Sequence, residues 1–356
     1  MSASGPSSTL NHLATSCGSD WPTIAKAVEA AQAERARLAA KLQESDLVPA
    51  DTGVIVFGSL ARDEWTSGSD LDWTLLVDGQ VDGTHAEVAR KISGEIVPSE
   101  KAPGPTGVFG GLAFSHDIVH FIGGDDDTNT NTTRRILLLL ESRSLGDDAV
   151  RLRVIRALLG RYIGEDILYH EPKTFSVPRF LLNDYVRYWR TMAVDSAHKR
   201  RERPDWALRN IKLRLSRKLI FTAGFWACLS SRLHPSETLA TARASNDRDG
   251  VAAEMTDFLV EFSKRTPLET LADAFTRYQA WDAARMSFDA YDDFLKILDS
   301  SENRKHLKAL KVIDAPSDAL FGQARDAASS FQQGLSKLFF ETDKTLTEAA
   351  QADGVF

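Results

Sequence analysis

The sequence predicts an α+β fold, a small mixed-sheet domain followed by a mainly helical C-terminal domain, and three observations carry that expectation. Two β-branched runs bounded by glycine, residues 53–58 and 71–77, stand early in the chain and read as strands. From Thr133 onward two-residue alternation gives way to long stretches of helical periodicity. The 356 residues, at ~150 per domain, suggest two structural units. The expected division is a loose tail over 1–19, an α/β domain over 20–145 and a helical domain over 146–356.

Taken in order, the Ser/Gly-rich start is read as unstructured. Asp20-Trp21-Pro22 then supplies an N-cap and a first-turn proline. Ile24, Ala25, Val28, Ala31, Ala39 and Leu42 recur at helical spacing up to about Asp46. Between the two strands, 59–65 suits one or two helical turns, and Thr66-Ser67-Gly68-Ser69 is a turn feeding the second strand. A third strand is expected over 111–122, closed by Gly123-Gly124. Helices are expected over 133–143, 147–163, 177–198, 206–231, 250–264, 267–298, 302–312 and 316–350.

Charge and cysteine content narrow the function. Lys plus Arg number 43 against 50 Asp plus Glu, a net −7, so no global field draws the chain to a polyanion. Cys17 and Cys228 cannot build a disulfide framework or a four-ligand zinc site, which suits a cytoplasmic protein. The N-terminus lacks a secretory pattern. The most apolar run, Ile136 to Leu140, is far short of the ~20 residues a bilayer span needs, so no membrane insertion is expected.

The chemistry concentrates in residues 57–72. Gly58 after a strand lets the backbone approach a ligand, and Ser59 adds a hydroxyl at a helix start, an arrangement that cradles phosphate. Asp70 and Asp72, two apart on a strand, project from one face. Such a pair repels itself unless a divalent cation, Mg²⁺ or Mn²⁺, neutralises it. Asp117 on the third expected strand is the candidate to complete a two-ion site.

This set of Gly58-Ser59, eleven residues to Asp70, Asp70-x-Asp72 and a later acidic strand residue resembles the DNA polymerase β-like nucleotidyltransferase superfamily. Within it, the phrase GSLARDEWTSGSDLDWTLL is most similar to the bacterial branch of PII-protein uridylyltransferases. The resemblance implies that residues 20–145 form the catalytic domain, and that Gly58 and Ser59 hold the triphosphate of an NTP or dNTP. It also implies that Asp70, Asp72 and Asp117 bind two Mg²⁺ or Mn²⁺ ions, and that a nucleoside monophosphate passes to a hydroxyl with loss of pyrophosphate. In such enzymes a basic residue and a hydroxyl on a central helix contact the phosphates, which points to Lys212, Ser216, Arg217 and Lys218.

Residues 187–218 hold eleven bases against three acids, a local net +8. That window favours a polyanionic acceptor or product, such as the oligonucleotides or signal nucleotides of bacterial antiphage defence. A protein acceptor, including the chain itself, or a non-catalytic binding module are the alternatives, and the C-terminal helices leave room for a protein partner. Asp125-Asp126-Asp127-Thr128 reads as a turn and cap, His116 and His120 as surface or core residues on one strand face, and Tyr185, Tyr188 and Trp189 as packing.

Overall fold

The computed structural model describes residues 7–104, 107–202 and 205–354, with the backbone alone at 199–202. It opens on a helix, α1 (Ser8–Cys17), where a loose tail is expected. Leu10, Leu13 and Cys17 recur on one face and are buried, so this stretch covers apolar surface on the C-terminal helices. Helix α2 (Pro22–Ser45) starts at its proline, but Trp21 is left-handed, with φ 38°, and offers no side-chain cap. Asp292 caps it from afar, Oδ1 accepting the Ile24 N–H at 2.8 Å, while Asp289 accepts from Trp21 Nε1 at 2.7 Å.

Next come β1 (Thr52–Val56), the single turn α3 (Gly58–Ala61), β2 (Trp73–Val77) and α4 (Thr84–Lys91), which runs into a π-helical turn over Ile92–Ile96. Then follow β3 (Gly111–Phe114), α5 (Ser115–His120), α6 (Asn129–Leu140) and the short β4 (Arg143–Ser144). The four strands form one mixed sheet in the order β3-β2-β1-β4. β1 runs antiparallel to β2 and β4, with Val56 opposite Trp73 and Arg143, and β2 runs parallel to β3 from Thr74–Gly111 to Val77–Phe114. Every residue of β1 and β2 is buried, as central strands covered on both faces must be. Val54, Val56, Trp73 and Leu75 pack on α2 and α4, while Ile55 and Leu76 face α6 and the next helix.

The third expected strand stops at Phe114 because its neighbour β2 ends at Val77. Beyond that point the chain has no ladder partner, and it coils so that Ile118 and Val119 reach the core. Asp117, His116 and His120 are therefore on a helix and not on a strand. The two imidazoles lie 4.9 Å apart, tilted by 38°, on its exposed side.

The rest is helical: α7 (Ala149–Asp166), α8 (Arg179–Glu202), α9 (Trp206–Lys212), a π-helical segment over Leu213–Arg217, α10 (Lys218–Leu233), α11 (Glu237–Ala244) and α12 (Arg248–Ser263). These are followed by α13 (Pro267–Arg277), α14 (Trp281–Asp299), α15 (Ser301–Ala309), α16 (Ala319–Glu341) and α17 (Lys344–Asp353). The single helix expected over 267–298 breaks where Gln279 turns left-handed, φ 50°, and that expected over 316–350 breaks before Asp343, which caps α17. α11, capped by Ser236, falls where no helix is expected.

Helix α10 is the spine. Leu219, Trp226 and Leu229 enter the core built with α1, α2 and α13 to α17, whereas Ile220, Ala227 and Cys228 enter the core shared by the sheet, α6 to α8 and α12. Gly224 sits where an added Cβ would lie 2.9 Å from the Tyr185 ring, so the close α8–α10 contact needs glycine. Among the described residues no helix is long and apolar enough to cross a membrane.

Candidate active site

β1 ends by delivering the chain to Gly58, whose φ of 66° lies in the left-handed region. The Phe57 N–H donates to the Asp72 carbonyl at 2.8 Å, which holds the start of α3 beside the approach to β2. A Cβ on Gly58 would stand 2.9 Å from Asp72 Oδ2, so glycine is required twice, by backbone and by space. The turn before Asp70 is fastened by Ser69, whose hydroxyl accepts from Thr66 N at 3.1 Å, and by Leu71 N donating to Lys101 O at 2.7 Å. Asp70 and Asp72 are expected on a strand but stand in the loop just before it, at the end of the sheet where β2 begins, Asp70 exposed and Asp72 half-buried.

The helical half closes this end into a cleft. Its walls are Gly58, Ser59, Asp70 and Asp72 from the first half, and Lys212, Ser216, Arg217 and Arg304 from the second. The π-helical segment places the last group: its wider turn shifts side-chain register, so Lys212, Ser216 and Arg217 face the same cleft. Lys218 falls on the other side, where Nζ donates to Gln332 Oε1 at 2.5 Å, and so it does not join the site.

Beneath the cleft lies a buried ion network. Arg62, 6% exposed, donates through Nε and Nη2 to Glu64 and through Nη1 to Glu141. Tyr291 donates to Glu64 Oε1 at 2.6 Å, and Arg217 Nη1 lies 3.4 Å from Glu141 Oε1. Burial alone would push Arg62 down, but the two carboxylates outweigh it and hold it charged. Removing one member of such a network costs about 3–5 kcal/mol, since it strands a buried charge.

Above the network the charges are not matched. Burial first, then the neighbouring Glu141 and Asp70 charges, push Asp72 up to about 6 against the pull of Arg217 and Lys212. Burial, with Arg304, Arg217 and Arg62 nearby, pushes Lys212 down to about 8, opposed by Asp70. Among the described residues the side chains of Asp70, Asp72, Lys212 and Arg304 form no hydrogen bond and no ion pair.

Asp117 is not part of this site. Asp72 precedes β2 and Asp117 follows β3, and because the two strands run parallel the carboxylates lie at opposite ends of the sheet. Gly110 N donates to Trp73 O at 2.7 Å, and the Phe109 ring packs 5.0 Å from that of Phe57. Among the described residues no group of three His, Cys, Asp or Glu gathers that could hold a metal by itself. The donor set still fits a cation delivered with its substrate, because Mg²⁺ is commonly held by one or two carboxylates and completed by phosphate oxygens.

The basic window resolves into separate roles. Arg187 pairs with Asp127 at 2.7 Å, Arg209 with Asp205 at 2.8 Å, and Arg214 donates to Asn210 at 3.0 Å. The side chains of Lys199, Arg200, Arg201 and Arg203 lie outside the described residues. Tyr188 is buried and Trp189 packs 5.8 Å from Phe221, so both serve packing.

Arg304, Glu141 and Tyr291 were invisible to sequence reasoning, each arriving from a remote segment. Gly68 was the one hint, since it leaves room that Arg304 fills. Residues 36–101 match the family model for a nucleotidyltransferase domain, a stretch that takes in the end of α2, β1, the Gly58–Ser59 turn, Asp70, Asp72, β2 and α4. No curated protein and no solved structure matches the chain.

Proposed function

We propose, for a chain whose residues 36–101 are a nucleotidyltransferase domain, that it moves a nucleoside monophosphate from an NTP or dNTP to a hydroxyl acceptor. The acceptor oxygen bonds to the α-phosphorus, the bond from that phosphorus to the β-bridging oxygen breaks, and pyrophosphate leaves with the electron pair. The acceptor proton goes to solvent. The observation that carries this reading is the meeting of Gly58, Ser59, Asp70 and Asp72 with Lys212, Ser216 and Arg217 in one cleft.

Each residue has work that follows from its place. Gly58 admits phosphate against the backbone, and the Ser59 hydroxyl donates to it. Lys212 and Arg217 offset charge on the leaving pyrophosphate, a role suited to cations held in a water-poor site. Ser216, lining the cleft, orients the phosphates. Asp70 and Asp72 hold Mg²⁺ or Mn²⁺, which supplies charge neutralisation at the phosphates when bound. With Asp117 at the opposite end of the sheet, the two-carboxylate set favours one protein-held ion over the two implied by the family resemblance.

Incubation with each α-labelled NTP and dNTP plus Mg²⁺ or Mn²⁺, beside an Asp70→Ala/Asp72→Ala variant, tests the reading. A ladder identifies template-independent oligonucleotide synthesis, the product class associated with antiphage defence, and label on the protein band identifies protein nucleotidylation. Absence of any variant-sensitive label, with nucleotide still bound, identifies a non-catalytic module and overturns the proposal.

A further inference from the structure

We propose that Arg304 is a specificity-determining ligand for the polyphosphate chain of the substrate, so that the cleft selects nucleoside triphosphates over monophosphates; this rests on the nucleotidyl-transfer reading above. Arg304 projects from α15, far outside the nucleotidyltransferase domain, yet lines the cleft with Asp70 and Lys212. It is 6% exposed, and among the described residues its guanidinium makes no ion pair and no hydrogen bond. A guanidinium that lines a polar cleft with no acidic partner in contact is placed to take an anion.

Its position is built. An added Cβ on Gly68 would lie 2.5 Å from Arg304 Nε and 2.7 Å from Cδ, so the side chain rests directly on the backbone of the turn leading to Asp70. That turn is tied to the end of α14, with Ser67 Oγ donating to Asp299 O at 3.1 Å. Ser300 then caps α15, accepting from Asn303 N at 3.2 Å. The metal-binding turn and the helix bearing Arg304 are therefore held in register before any ligand arrives, which lowers the ordering cost of binding.

The local charge identifies the ligand class. Arg304 and Lys212 repel each other across the cleft, Arg217 adds a third cation, and Asp70 is the acid whose charge bears on Arg304. One phosphate carries too little charge to settle three cations, whereas a triphosphate matches them. The planar guanidinium fork suits its oxygens in bidentate fashion.

Binding of ATP, AMP and inorganic tripolyphosphate, each with Mg²⁺, measured calorimetrically for wild type, Arg304→Gln and Arg304→Lys, tests this. The wild type is expected to bind ATP and tripolyphosphate well and AMP weakly. Arg304→Gln is expected to raise the Kd of the first two about ten- to a hundredfold and leave AMP unchanged. Arg304→Lys, which keeps charge and bulk, should fall between and serves if the Gln variant does not fold. Wild-type Kd values for ATP and tripolyphosphate in both variants would overturn the assignment while leaving the transferase reading intact. A wild type that binds neither ligand would overturn that reading and this inference together.

Discussion

Two buried charge clusters flank the central helices, and they differ in how completely their charges are answered. Around Arg135, 0% exposed, Nη1 and Nη2 reach Asp127 at 3.1 and 3.0 Å, Nη2 reaches Asp184 at 2.8 Å, and Nε meets Tyr162 Oη at 2.6 Å. Arg187 completes the set on Asp127 at 2.7 Å. Burial would push the Asp127 carboxyl up, but its arginines and the Gly123 N–H hold it below the ordinary range. At the cleft, Arg62, Glu64, Glu141 and Arg217 form a similar network, yet Asp70, Asp72, Lys212 and Arg304 above it have no bonded partner among the described residues. A closed cluster joins elements of the fold, here α6, α7 and α8. An open one in a cleft marks where a charged ligand belongs.

The comparison can be broken at either end. Arg135→Leu should cost about 3–5 kcal/mol in urea unfolding, because it takes the central cation from the buried Asp127 and the half-buried Asp184, and should leave nucleotide affinity of the folded fraction unchanged. Asp72→Asn should do the opposite. Transfer should fall about a thousandfold or more in a labelled-nucleotide assay, several kcal/mol of lost stabilisation, with thermal stability equal or higher because an unbalanced charge is removed. Lys212→Met is expected to weaken NTP binding about tenfold in calorimetry with no loss of stability.

The pH response sharpens the same contrast. Asp72 has its folded-state carboxyl at about 6, above the ordinary 3.8, so the folded state binds the proton more tightly than the unfolded chain. Its contribution to stability is present at low pH and is lost as pH rises through 6. The proton also competes with a divalent cation, so metal-dependent nucleotide binding should weaken as pH falls below about 6, and Asp72→Asn should abolish that inflection. The smallest effect is expected for Lys218→Ala, about 0.5 kcal/mol or less in unfolding and none in transfer.

Much of the site was legible because it is local. Gly58, Ser59, Asp70 and Asp72 lie within a short stretch of chain, just after β1 and just before β2, so their spacing carries the geometry directly. Lys212, Ser216 and Arg217 were legible as a group, but Lys218 could be separated from them only by the π-helical register, which no residue pattern announces. Asp117 failed because its β-rich surroundings conceal where β2 ends; strand length is set by the partner. Tyr291 and Glu64 are separated by 227 residues, and such contacts have no sequence signature. α1 was hidden by Ser/Gly composition, although Leu10, Leu13 and Cys17 already carried its period.

The most direct measurement is pyrophosphate release, followed by a coupled assay with NTP and Mg²⁺ for the wild type and Asp72→Asn. The account expects pyrophosphate in step with transferred nucleotide, and its loss in the variant. Pyrophosphate formed equally by both proteins, or release of orthophosphate in its place, would contradict it.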